Sequence, residues 1–187
     1  MRILVLIGLM AMLMLPAQAQ TRKVSSVELN ETESFDGNSL QLNGAGVRSK
    51  YFMDLYVGAL YLTEKSSSSG EIIKSTQPQA IRLHIISSLI TSEKMISSTE
   101  EGFENATGDN TAPISAEIKQ FIDAFSAPIE KGDIFDMVNT ADGVKVYKNA
   151  KLLTTVKGAA FKEALFGIWL GADPAQSSLK RGMLGLK

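Results

Sequence analysis

The chain has 187 residues, with 19 Lys and Arg against 20 Asp and Glu, and it contains no cysteine. This charge balance argues against a nucleic-acid partner, which requires a concentrated basic surface. The lack of cysteine excludes disulfides, thiol catalysis and cysteine-ligated metals, and the single histidine, His84, has no second imidazole with which to share a metal. The composition therefore predicts no metal site and no cofactor.

The first 19 residues have the pattern of a cleaved signal peptide. Arg2 supplies a positive start, residues 3–15 are apolar, and Ala17-Gln18-Ala19 is a small-x-small cleavage site. The apolar run is shorter than the roughly 20 residues that a membrane span needs. We expect cleavage after Ala19 and export to a periplasm. The mature chain, residues 20–187, should be a single domain with no integral membrane segment.

Turn and apolar patterns predict extended structure in the first half of the mature chain. Strands are predicted at residues 23–29, 39–43 and 50–63, with a tight turn at Asp36-Gly37-Asn38. Gly44 and Gly46 predict a bend or bulge in the backbone. Residues 50–63 are apolar on both faces, which is typical of a central strand that is covered on both sides.

Arg48 stands at the start of this apolar segment. A guanidinium beside apolar and aromatic residues can hold an anionic head group that carries an apolar tail. The alternative is an internal ion pair, with Asp54 or a glutamate on a helix. Tyr56 could add a hydrogen bond to the same anion or could simply belong to the core. A straight strand would place residues 48 and 56 roughly 26 Å apart, so contact between them requires a bend near residues 46–50.

The second half of the chain combines helical periodicity with hairpin signals. Strands are predicted at residues 79–87, 133–139, 144–147 and 152–156. Helices are predicted at residues 71–74, 113–125 and 160–169, the last of these ending before a cap at Gly171. Two further helices are predicted to begin at Thr91 or Ser92 and at Asp173-Pro174. This order of strands, helices, hairpins and helices predicts an α+β fold with helices layered on an antiparallel sheet. His84 falls within a predicted strand and is expected to be an ordinary strand residue.

Two segments resemble the chalcone isomerase superfamily, and most closely its exported bacterial chalcone isomerase-like proteins. One is Gly44-Ala45-Gly46-Val47-Arg48 with the apolar segment that ends in Gly58-Ala59-Leu60-Tyr61-Leu62, and the other is residues 161–171 followed by Pro174. The resemblance extends over residues 24–186. It implies an open-faced β-sandwich, in which a curved antiparallel sheet is backed by a layer of helices, with a cleft between the two.

In that family, the arginine after the Gly-Val pair contacts the anion of a chalcone or a fatty acid, and Arg48 matches it. The resemblance thus implies a ligand site at Arg48 with Tyr56, Met95 and Ile168. These last three stand where the enzymes have a threonine, a tyrosine and a hydroxyl residue, and Gly102 stands near the place of an asparagine. Because these catalytic residues are replaced, the resemblance argues against flavanone-forming catalysis.

Three functions of different classes remain open. The first, which we favour, is a non-catalytic protein that binds a fatty acid or similar small amphipathic anion. The second is an isomerase or lyase, for which only Tyr51, Asp54 or Tyr56 could transfer a proton near Arg48. The third is a protein-interaction module without a small ligand, which predicts a filled interior and an exposed apolar patch. The sequence does not indicate the oligomeric state.

Overall fold

A computed structural model describes residues 20–186. Its main sheet has seven antiparallel strands in sequence order, so each strand pairs with the next one along the chain. These strands are β3 (Thr32–Phe35), β4 (Asn38–Lys50), β5 (Met53–Leu62), β6 (Gln79–Ile85), β7 (Ile134–Thr140), β8 (Gly143–Lys148) and β9 (Lys151–Val156). A separate hairpin is formed by β1 (Thr21–Val24) and β2 (Val27–Asn30). The predicted signal peptide, residues 1–19, lies outside the described residues.

Helices cover one face of the sheet. They are α1 (Ser69–Lys74), α2 (Ser92–Thr107), α3 (Ser115–Asp123), α4 (Ala159–Leu170) and α5 (Ser177–Met183), with a 3₁₀ turn at Ala112–Ile114. A large apolar core lies between these helices and the sheet, and includes an aromatic cluster of Phe103, Phe121, Phe125, Phe135 and Phe161. The predicted α+β fold, a curved antiparallel sheet backed by helices, is confirmed.

A second, smaller core lies on the opposite face, where residues of β2 and β3 meet the central strands. Strand β5 therefore has an apolar layer on each side. Tyr56, Leu60 and Leu62 pack toward the helices, whereas Val57 and Tyr61 pack toward the second core. The prediction of a central strand covered on both sides is confirmed for residues 56–62, all of which are buried.

Three predicted element boundaries are wrong. Residues 23–29 form two short strands, because the chain turns at Ser25, whose φ is +53°. The apolar segment 50–63 is interrupted by a turn at Tyr51 and Phe52, so that β5 begins only at Met53. The last helix begins at Ser177 rather than at Asp173-Pro174, because Gln176 occupies the N-cap position with extended backbone.

The glycines before Arg48 allow α5 to lie directly on β4. A Cβ atom on Gly44 would come within 2.7 Å of the Gly185 nitrogen, and one on Gly182 within 2.6 Å of the Ala45 oxygen. Strand pairing also shifts register between Leu42 and Gly44, which confirms the predicted bulge. This close packing holds α5, and the loop before it, beside the end of β4 that carries Arg48. No helix within residues 20–186 is long and apolar enough to cross a membrane.

Candidate ligand site at the β4–β5 hairpin

The turn between β4 and β5 brings two of the predicted site residues together. Arg48 and Tyr56 are directly paired across the two strands. Side chains of directly opposed residues in an antiparallel pair lie on the same face of the sheet. The expectation that contact requires a bend near residues 46–50 is therefore wrong. The chain reverses at residues 51–52 instead, and the two residues come together as cross-strand neighbours on the face covered by helices.

Arg48 is half-buried and makes only neutral hydrogen bonds. Its Nη1 atom donates to the side-chain oxygen of Gln176, at 2.9 Å, and to the Ser49 carbonyl, at 3.3 Å. Within residues 20–186, no carboxylate lies within ion-pairing distance of this guanidinium. Asp54, the proposed internal partner, instead accepts a hydrogen bond from the Ser49 hydroxyl at 2.8 Å. The positive charge of Arg48 is thus not neutralised by the protein residues that the structure describes.

Tyr56 is buried and is tied to α4 through its hydroxyl. That oxygen accepts a hydrogen bond of 3.0 Å from the indole nitrogen of Trp169. Burial raises the pKa of Tyr56, although the bond from Trp169 and the charge of Arg48 oppose the increase. Because the hydroxyl therefore stays protonated at neutral pH, Tyr56 can still donate a hydrogen bond to an anion, but it is poorly suited to act as a general base.

Met95 and Ile168 lie in the core between the helices and the sheet, as Tyr56 does. Met95 is 8% exposed and Ile168 is 5% exposed. Ile168 also fills the space beside Gly102, where a Cβ atom would approach within 2.9 Å of its Cγ2 methyl group. A side chain at position 102 would therefore collide with α4. In the described structure, Met95 and Ile168 are thus buried in the same packed core as Tyr56.

Two surface depressions lie elsewhere. One, of about 470 Å³, is bordered by the ends of α1, β7 and α4, and the other, of about 360 Å³, lies between α3 and β9. The first contains Lys162, but its ammonium already donates to three carbonyl oxygens at the end of α1, those of Ile72, Ile73 and Ser75, at 3.1, 2.7 and 2.7 Å. Because an ammonium has three donors, none is left for a ligand.

Neither His84 nor a group of metal-binding residues adds to the site at Arg48 and Tyr56. His84 lies in β6 next to Val57 of β5, on the face opposite the helices, and burial lowers its pKa. Within the described part of the chain, no three His, Asp or Glu residues are grouped so that they could hold a metal ion. The chemistry that this arrangement supports is binding of an anion by Arg48, with Tyr56 as a neutral donor beside it.

A profile of the family described as "Chalcone isomerase-like" matches residues 21–185, which is most of the chain. The chain belongs to this family. No curated protein sequence is detectably similar to this chalcone isomerase-like protein.

Among solved structures, the chalcone isomerase-like protein is similar to a fatty-acid binding protein from Arabidopsis thaliana. The two share 13% sequence identity with a TM-score of 0.66, over 86% of this chain and 92% of the plant protein. At this level of identity, the similarity shows a common fold.

Two side chains of the site in this chalcone isomerase-like protein were not among the predicted ligand-binding residues. Trp169 shows in the sequence only as part of the apolar face of a helix, so nothing indicates that its indole nitrogen bonds Tyr56. No feature of the sequence marks Gln176 as a site residue. It lies 128 residues from Arg48 in the sequence, and only the packing of α5 on β4 brings the two together.

Proposed function

We propose that this protein binds a fatty acid or a similar small amphipathic anion, with the carboxylate held by Arg48. The observation that carries the proposal is the half-buried guanidinium, without a carboxylate partner among residues 20–186, at the edge of a large apolar core. A partly buried charge that lacks a counter-charge is unfavourable, and an anionic ligand would neutralise it. The fold shared with a fatty-acid binding protein supports the same ligand class.

In this proposal, the acyl chain enters the core between α2, α4 and the sheet. Tyr56, Met95 and Ile168 would contact the ligand, with Tyr56 closest to the carboxylate. Because the core is packed here, binding requires side chains to move aside. Met95 is suited to this, since methionine is unbranched and adapts to irregular spaces.

Native mass spectrometry of the protein, purified from a periplasmic extract without refolding, tests this proposal. The wild-type protein should carry a bound lipid, and Arg48→Ala should lower its occupancy. Gln176→Ala is the matched control, because it removes a neutral partner of Arg48 but leaves the guanidinium in place. A wild-type protein that carries no lipid, and gains none when incubated with oleate, would contradict the proposal.

A second candidate function is a protein-interaction module without a small ligand. The packed interior favours it, since Met95, Ile168 and Trp169 are each less than 10% exposed. Such a module would show no change in stability when oleate is added. A fatty-acid binder should instead become more stable with each increase in oleate concentration, by an increment that grows with the logarithm of that concentration, because the ligand binds only the folded state.

We also propose that residues 1–19 are a signal peptide, that residues 20–187 form the mature domain, and that the protein resides in a bacterial periplasm. The charged start, apolar run and Ala-Gln-Ala site of the sequence support this. N-terminal sequencing of the protein from a periplasmic fraction should give Gln20 as the first residue. An intact Met1 would contradict it.

A further inference from the structure

The tip of the β4–β5 hairpin exposes a cluster of large apolar side chains. Tyr51 is 80% exposed, Phe52 is fully exposed and Met53 is 45% exposed. The loop after β6 leaves the sheet at the same end, because the Ile86 nitrogen bonds the Leu55 carbonyl of β5, and this loop exposes Leu89. Contiguous exposed apolar groups of this kind mark a contact surface. We call residues 50–53 the aromatic tip.

The backbone of the aromatic tip is unfavourable for the residues that it carries. Tyr51 and Phe52 have φ angles of +50° and +65°. Two-residue hairpin turns with both φ angles positive strongly favour Asn-Gly or Asp-Gly, and bulky side chains are rare there. Neither aromatic ring is buried in exchange. Two exposed aromatic residues in a strained turn therefore indicate a contact with something outside the described chain.

Positive charges accompany each apolar protrusion. The Lys50 ammonium lies 5.7 Å from the centre of the Tyr51 ring, and the Lys94 ammonium donates to the Leu89 carbonyl at 3.0 Å. Neither lysine forms an ion pair with another residue in the range 20–186. The carboxylates of Asp54 and Glu93 lie nearby and accept hydrogen bonds from neutral hydroxyls, so together with Arg48 this end of the hairpin carries three cationic and two anionic side chains.

We propose that the aromatic tip docks on the surface of a phospholipid bilayer with anionic head groups. Phe52 and Met53 would enter the acyl region, while Tyr51 would lie at the head-group level, where amphipathic rings are favoured. Lys50 and Lys94 match anionic head groups in charge, and lysine stems can lie along apolar surface while their ammonium groups stay at the interface.

This inference rests on the aromatic tip itself, and it also complements the proposed function. Arg48 lies close to the tip along β4, since the strand pairs between them are Lys50 with Met53 and Ser49 with Asp54. A tip that enters a bilayer would bring the candidate ligand site next to the membrane, where fatty acids partition. Docking would thus place the site at the source of its ligand.

Flotation with lipid vesicles tests the docking. Residues 20–187 are incubated with vesicles of phosphatidylcholine alone, or of equal parts phosphatidylcholine and phosphatidylglycerol. The variant Tyr51→Asn/Phe52→Gly carries residues that this turn favours, so it should fold. Wild type should float with the anionic vesicles, and the variant should lose at least about 10-fold in partitioning, because it can no longer bury the Phe52 side chain in the bilayer. The matched control is Leu152→Ser/Leu153→Ser, which removes two exposed leucines of β9 and should float like wild type.

Three results would overturn the docking proposal. The first is a Tyr51→Asn/Phe52→Gly variant that floats as wild type does, and the second is a wild type that does not float. The third is a wild-type dimer that becomes monomeric in this variant by light scattering, since the tip would then be a contact between copies. Oleate binding without vesicles should be the same in wild type and variant. If neither wild type nor the variant bound oleate, the proposed function would be contradicted, whereas the docking proposal would not be affected.

Discussion

The replacement Tyr56→Phe tests how the candidate site is built. It removes the oxygen that accepts the hydrogen bond from the indole nitrogen of Trp169, at 3.0 Å, and changes nothing else in the side chain. Both residues are less than 10% exposed, so water cannot readily replace the lost partner. A buried donor without an acceptor costs about 1–3 kcal/mol. In a domain of this size each kcal/mol corresponds to a change in Tm of about 2–4 °C, so a loss of about 2 kcal/mol should lower Tm by about 4–8 °C.

Trp169 is the only tryptophan of the chain, so its fluorescence reports on this bond directly. We expect the emission maximum of Tyr56→Phe to shift to shorter wavelength. The control is Tyr51→Phe, because the Tyr51 side chain is 80% exposed and the loss of its hydroxyl should change the free energy of unfolding by no more than about 0.5 kcal/mol. If Tyr56→Phe had the Tm and emission of wild type, the bond would not exist and the description of the site would be wrong.

Three further changes test other parts of the structure. Gly44→Ala should destabilise the fold by about 1–3 kcal/mol, because the added methyl group collides with α5. The control Gly70→Ala, in open space on α1, should be neutral or stabilising. Equal Tm values for these two variants would contradict the close packing of α5 on β4. Burial raises the pKa of Tyr61 from 10.0 to about 12. The stability that this tyrosine contributes is therefore complete below pH 10 and is lost between pH 10 and 12, a loss of about 2.7 kcal/mol at 1.36 kcal/mol per pKa unit. In urea unfolding, the free energy of unfolding of Tyr61→Phe should fall less over that pH range than that of wild type. Tyr51→Asn/Phe52→Gly should raise the free energy of unfolding by about 1–3 kcal/mol through relief of the strained turn, and a lower Tm would show that the aromatic rings support the fold.

The order of strands and helices could be predicted from the sequence because apolar spacing and turn residues repeat along most of the chain. The turn at Tyr51 and Phe52 could not. Aromatic residues favour strands, and the segment lacks the glycine or asparagine that usually marks a tight turn. Because this turn was not predicted, the pairing of Arg48 with Tyr56, which is the geometric basis of the site, was not predicted either.

Contacts between distant parts of the chain were also beyond prediction from a single sequence. The resemblance to a known family indicated Arg48, but the hydrogen bonds from Arg48 to Gln176 and from Trp169 to Tyr56 span 128 and 113 residues. Such pairs depend on how α4 and α5 pack on the sheet. Apolar periodicity shows which face of a helix is buried, but not which polar atoms meet across the interface.

The central claim is that Arg48 holds the carboxylate of a fatty acid, and a cycle of four titrations tests it most directly. Wild type and Arg48→Ala are each titrated with oleate and with its methyl ester, which has the same chain but no charge. A hydrogen bond to a charged group contributes about 1.5–3 kcal/mol, equivalent to about 10- to 150-fold in Kd. We predict that Arg48→Ala weakens oleate binding by a factor in this range and leaves binding of the ester nearly unchanged. Equal losses for both ligands, or no loss for oleate, would contradict the claim.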